Sequence, residues 1–198
     1  MKSIVPKNTR YIPLTQQKRC CVPTCIQMIM LRHKIPLVPA EVIADNLGLI
    51  VPPEDIQYFM KPRTGKRPKA GWGTQIEKKE FDCNRALKKL KIPLRMSFVS
   101  VNEFKNPSEL YKYLLKAQKS DKDILFCFDW GTLHGKGITG GHDCVFDVLE
   151  RGKKVRIIDP EYLAKKWQVV SIQRLFRAMK LHCGGKEGGL LIFEVLKR

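Results

Sequence analysis

The 198-residue sequence has no run of apolar residues approaching the ~18 that a membrane-spanning helix needs. Its first residues, MKSIVPKNTRYIPLTQQ, hold no apolar stretch of signal-peptide length. Both absences point to a cytoplasmic protein. Internal repeats and linkers are missing too, so one domain over 1–198 is expected, large enough to bury a core without disulfides or metals. Acidic residues are scarce: 19 Asp and Glu stand against 37 Lys and Arg, a net charge of +18. That field favours acidic partners such as nucleic acid, anionic lipid headgroups or an acidic peptide. No zinc-finger, helix-turn-helix or aromatic-basic single-strand signature accompanies it, and the lysines are spread along the chain. The charge therefore reads first as solvated surface, with nucleic acid the lesser candidate. Paired C-x-x-C motifs are absent, which makes zinc on Cys20, Cys21, Cys25 and His33 a minor reading. No metal or cofactor is expected, and the seven cysteines, an odd number in a reducing compartment, should mostly be free thiols.

What is present has an order. VPTCIQMIMLRHK reads as a helix whose start is set by Pro23, with Ile26, Ile29, Met30 and His33 on one buried stripe. Cys21 then lies at or just before the helix N-terminus. LVPAEVIADNLGL repeats the pattern, with Pro39 near its start and Gly48 as its stop. Residues 51–75, rich in proline, glycine and lysine, form a basic surface loop or insert. DCNRALKKLKI and NPSELYKYLLKAQK are helical, the second capped by Asn106 with Glu109 in the capping-box position. Six short strands follow from RMSFVSV, DILFCFDW, HDCVFDVLE, KKVRIID, WQVVSI and LLIFEVL, interrupted late by the helix IQRLFRAMK. Helices first and an antiparallel sheet afterwards is an α+β arrangement.

The chemistry gathers around a histidine. His142 opens a strand directly after Gly140 and Gly141, which leave room for a ligand backbone. Seventeen residues on, Asp159 ends the next strand and precedes Pro160. With a turn near Arg151 and Gly152, the two side chains share the open end of one hairpin, within reach of a hydrogen bond. An aspartate that orients an imidazole is half of a nucleophilic triad. Cys21 supplies the nucleophile, at a helix start that favours thiolate. Gln16 or Gln17 supplies a side-chain N–H for an oxyanion, beside the cysteine's own backbone N–H.

In that order, a Gln, a Cys at a helix start, a His after a glycine pair and then Asp-Pro, the chain resembles the papain-like cysteine peptidases. Within them it is most similar to the double-glycine leader peptidases that process bacteriocins and to their free-standing relatives. The resemblance covers roughly Ile12 to Leu49 and Thr139 to Tyr162. It implies a papain-like α+β fold with N-terminal helices packed on a C-terminal antiparallel sheet, and a cysteine peptidase working through a thioester. It puts the nucleophile on Cys21, the base on His142, its orienting acid on Asp159 and the oxyanion glutamine on Gln16, with Gln17 as the alternative. Val22 stands where the family has glycine, Cys20 is an additional thiol, and the insert at 51–75 has no counterpart.

Other readings stay beside this one. The same thiol could serve an acyltransferase or amidase, and the basic surface could serve a binding module for nucleic acid. Trp72 and Trp130, in glycine-rich surroundings, are candidates to line a substrate cleft together with Gly140 and Gly141. GTLHGKGITGG has the length and glycine content of a lid. Cys25, one helical turn after Cys21, reads as core, and Cys20 as either a bystander or a thiol that controls its neighbour. His33, His134 and His182 have no evident partner. Asp143 points to the face opposite His142 and is a poor substitute for Asp159.

Overall fold

The structure is a computed structural model that describes residues 5–196. Residues 1–4 and 197–198, the ends of the span read as one domain, lie outside the described residues.

Two helices come first, α1 (Cys21–Arg32) and α2 (Ala40–Asn46), and a third, α3 (Cys83–Lys89), follows the insert. Pro23 is the third residue of α1, not its first. Any of the first turn's N–H groups lacks an intrahelical partner, so proline is tolerated throughout that turn and does not fix the boundary. The consequence is that Cys21 is the first helical residue. Between α2 and α3, the 51–75 segment is tied back by bridges from Ile50 to Gly73 and from Val51 to Ala70. It is also held by ion pairs of Lys18 and Arg19 with Asp55, whose carboxylate is buried.

Strand β1 (Leu94–Ser100) is followed by α4 (Pro107–Lys119), whose Asn106 side chain accepts the N–H groups of Ser108 and Glu109 as a cap should. Glu109 accepts from the Lys105 N–H, one residue earlier than a capping box requires. Then come β2 (Asp123–Asp129), the short helix α5 (Trp130–His134), β3 (Gly141–Glu150), β4 (Lys154–Ile158), β5 (Trp167–Ser171), α6 (Ile172–Leu181) and β6 (Gly189–Val195). All six expected strands form one antiparallel sheet in the order β1-β6-β2-β3-β4-β5.

Helices cover both faces of this sheet. Leu125, Cys127, Val145, Leu191 and Phe193 face α1 with Ile26, Ile29 and Met30. The alternate residues Phe126, Phe128, Cys144, Phe146 and Ile192 face α4 and α6 with Leu110, Leu114, Leu175 and Met179. The sequence order of elements suggests one helical layer; the apolar run of β2, buried at every position, is what two covered faces require.

The β3–β4 hairpin closes through Arg151, Gly152 and Lys153, with Gly152 at φ +73° and Lys153 at φ +55°, so glycine is needed at the first of two left-handed positions. Its register shifts between Phe146 and Val148, leaving Asp147 as a bulge. The Asp147 carboxylate, wholly buried, accepts the Arg10 N–H at 2.9 Å, the Thr9 hydroxyl at 3.2 Å and Arg156 Nε at 2.7 Å. The extended N-terminal segment is therefore stitched to the bulge. It runs on until the Gln16 N–H donates to the Pro160 carbonyl at 2.9 Å.

Candidate active site

Helix α1 presents Cys21 half-buried at its first position, with no acidic residue in its first turn to neutralise the positive end of the helix dipole. The N–H of Cys21 has no carbonyl partner within the helix. His142 enters from the start of β3, buried, with its ring edge-on to Phe128 at a centroid distance of 5.9 Å. Its Nε2 lies 2.8 Å from Asp159 Oδ1. The register that pairs Val145 with Ile158 puts Asp159 opposite Cys144 and diagonal to His142 on the same face, which is why the two meet.

Asp159 is held in place by two further donors, Gln168 Nε2 at 2.8 Å and the Glu161 N–H at 2.9 Å. Burial opposes its charge, but the bonds from His142 and Glu161 outweigh burial and keep the carboxyl below the usual carboxylate range. For His142 burial alone would disfavour the imidazolium. Its interactions with Cys144, Asp159 and Cys21 outweigh that, and its pKa stands well above the ordinary histidine value; the hydrogen bond its ring makes is the one to Asp159. With Nε2 committed to Asp159, Nδ1 is the ring nitrogen left for a thiol.

The other cysteines all have thiols pushed up from the ordinary value. Burial pushes Cys20, Cys83 and Cys144 up to about 12, raises Cys25 and Cys127 well above the ordinary value, and with Glu187 pushes Cys183 up to about 11. Cys25 is core, as its helical spacing implies. Cys20 sits against Ala44, Leu49 and Val51.

Gln16 is brought to the Asp159 end of the hairpin, where its Nε2 donates to Glu161 Oε2 at 2.8 Å, leaving one N–H of that amide uncommitted. Gln17 instead lines an apolar cleft with Cys20, Glu41, Phe59 and Met60, between the 51–75 insert and α2. Trp72, at the mouth of the insert, is 66% exposed, with the Arg19 guanidinium 4.7 Å above its ring. Trp130 is not in a loop: it begins α5 and packs on His134 at 4.6 Å. Gly141 lies against the His182 ring, so closely that a Cβ there would meet Cε1 at 2.4 Å, whereas a Cβ at Gly140 would meet nothing.

The segment from Gly131 to Gly140 is pinned rather than free. Asp129 accepts the N–H of Thr132 at 2.6 Å and those of Thr139 and Gly140 at 2.9 and 2.8 Å, closing both ends of the loop on one buried carboxylate. A carboxylate that caps a helix and also clasps a loop leaves no periodic trace in sequence. Burial would raise its pKa, but the hydrogen bonds from Thr132, Gly140 and Thr139 outweigh it and hold the carboxyl low. Asp129→Ala is expected to cost roughly 2–4 kcal/mol in denaturant unfolding and to speed amide exchange across 130–141. Because the folded pKa lies below the unfolded one, this contribution is complete at neutral pH and is lost as pH falls through the folded value.

Of the remaining histidines, His134 packs on Trp130 with its buried Nε2 unpaired among the described residues, and the other two lie near carboxylates. His33 Nε2 lies 2.6 Å from Asp123, and His182 is 3.8 Å from Glu187. His33 is thus engaged away from Cys20, Cys21 and Cys25, and these four residues form no metal cluster among the described residues. Two other groups of donors are compact enough for a cation: His142 with Cys144 and Asp159, and His182 with Cys183 and Glu187. In the first the imidazole and carboxylate already bond each other.

Asp143 does face away from His142, as strand alternation requires. There it meets Cys21, whose Sγ lies 3.6 Å from Asp143 Oδ2, while the Cys25 thiol approaches the Asp143 carbonyl at 3.5 Å. The sequence reading missed this contact.

No protein-family model and no curated protein matches the sequence. Among solved structures, the crystal structure of a Bacillus anthracis protein, described provisionally as a C39-like peptidase, is similar with a TM-score of 0.53 and 18% sequence identity, over 94% of this chain and 95% of that one. The chain therefore has an α+β, papain-like fold: α+β as the order of its elements implies, papain-like as the resemblance of its motifs implies.

Proposed function

We propose that the protein is a cysteine peptidase in which Cys21, His142 and Asp159 form the catalytic triad. The observation that carries this reading is the 2.8 Å bond between His142 Nε2 and Asp159 Oδ1, with the helix-start thiol of Cys21 against Asp143, the next residue of the same strand, on a fold shared with a C39-like peptidase. His142 takes the thiol proton on Nδ1, and the Cys21 sulfur attacks an amide carbonyl. The oxyanion is met by the Cys21 N–H and the uncommitted N–H of Gln16. The imidazolium then protonates the leaving amine, a thioester remains, and water activated by His142 releases the acid. To Trp72, Trp130, Gly140 and Gly141 we assign contacts with the substrate. The net charge of +18 suits an acidic peptide segment.

Two measurements test the proposal. Iodoacetamide at neutral pH should label Cys21 ahead of the other thiols, and His142→Ala should slow that labelling at least ~100-fold. Incubation with peptides that include an acidic sequence bearing a double glycine should yield cleavage products. Labelling that goes first to Cys20 or Cys25 defeats the assignment. Transfer of an acyl group to an added amine, without hydrolysis, would turn the same site into an acyltransferase.

A further inference from the structure

Asp143 is an ionisable group that the triad does not use, yet it touches the sulfur on which the triad acts. Its Oδ2 accepts from Cys21 at 3.6 Å. Its Oδ1 is out of contact with solvent and has no hydrogen-bond partner. Among the described residues no lysine, arginine or histidine forms an ion pair with it. A carboxylate in this position would keep one anionic oxygen dry and unpaired, and would stand beside a sulfur that must become anionic. A neutral acid removes both penalties: its hydroxyl donates to the sulfur, and only a carbonyl oxygen remains without a partner.

Resting on the reading of Cys21 as nucleophile, we propose that Asp143 is a fourth acid–base group of the site. As the neutral acid it donates a hydrogen bond to the Cys21 thiolate; once ionised it holds Cys21 as the thiol and turns the site off.

The proton accounting is simple. In the active state the Cys21 proton resides on His142 and Asp143 keeps its own. Ionisation of Asp143 releases one proton to solvent, His142 returns its proton to the Cys21 sulfur, and the thiol then donates to the carboxylate in the direction opposite to the active bond. The groups facing Asp143 act in both senses. Burial pushes its carboxyl above the usual carboxylate range, while the Cys127 thiol on the facing strand β2, the hydrogen bond from Cys21 on α1, and the charges of His142 on its own strand and His182 after α6 pull it back. The Cys25 thiol, 3.5 Å from the Asp143 carbonyl, completes its surroundings on this face, and the Cys144 thiol lies on the other face of the strand.

The test is the pH dependence of Cys21 alkylation by iodoacetamide in the full chain, wild type against Asp143→Asn, from about pH 5 to about pH 9. Asparagine can donate to the thiolate but cannot ionise. The ratio of Asp143→Asn to wild-type rate is expected to rise about tenfold across that range, and the ratio of kcat/KM for peptide cleavage should rise with it. A residue of purely structural importance would change the rates without changing their pH profile. Superimposable profiles overturn the proposal while leaving the triad intact; absence of any labelling at Cys21 overturns the triad instead. If Asp143→Asn does not fold, the wild type decides. Its infrared spectrum should keep the carbonyl stretch of a protonated carboxylic acid at a pH where an ordinary aspartate is ionised, and lose it as alkylation slows. No such band at that pH refutes the idea.

Discussion

Cys21→Ala is expected to lower kcat/KM at least about ten-thousand-fold while leaving the melting temperature within a few degrees of wild type. Alanine is the better helix former and Cys21 is only half-buried, so the fold loses little. The chemistry loses its covalent intermediate, and no neighbour can replace it. Cys20 is 1% exposed and fixed against α2, its thiol pushed up to about 12. Cys25 lies a full turn deeper in the core. Serine at the same position should fare nearly as badly, since the environment that suits a thiolate is far short of what an alkoxide requires. Mass spectrometry of an acyl adduct, present in wild type and missing from Cys21→Ala, gives the direct readout. Activity within tenfold of wild type in the alanine variant would place the acyl chemistry elsewhere.

The largest loss of stability is expected from Asp147→Ala, about 3–5 kcal/mol and a fall in Tm of roughly 10 °C or more. The substitution leaves the guanidinium of Arg156, itself 6% exposed, with only Glu150 and Asn8 as partners, and it deprives the Arg10 N–H of its acceptor. Because Thr9 and the Arg10 N–H then lose their carboxylate anchor, the path that carries Gln16 to Pro160 slackens and turnover should fall as well. Calorimetry and the peptide assay on the same preparation check both. Replacing Asp147 and Arg156 together by apolar residues of similar volume should cost less than the single change, since no charge is then stranded. A loss below about 1 kcal/mol would mean that the pair contributes little beyond its geometry.

Much of this was legible in the sequence, and for identifiable reasons. Short β-branched and aromatic runs bounded by Gly, Pro, Asp or Asn mark all six strands, and the spacing across a short turn brings His142 and Asp159 to the same open end of one hairpin. Asn106 announces its cap. What was not legible comes from side chains whose partners are remote in the chain. Asp129 clasps a loop that composition alone presents as a mobile lid. His33, on the face of α1 read as apolar, turns to Asp123, ninety residues away. Asp143 was correctly assigned to the other face of β3, but that face carries the end of α1, and only the packing of helix on sheet reveals it. Likewise the second helical layer follows from where α4 and α6 return, which element order does not specify.

The single extra residue at Asp147 sets the phase of the hairpin. On the turn side of the bulge Val148 faces Arg156, and Glu150 faces Lys154; on the open side Val145 faces Ile158. Continuing the turn-side register without interruption would set Asp159 opposite Val145, on the α1 face, with its carboxylate turned away from His142. Turn and site are thereby uncoupled: beyond the bulge, the arm can lengthen or shorten by one residue on each strand without moving the two ring-and-carboxylate partners, whereas an unpaired insertion or deletion on either side would separate them.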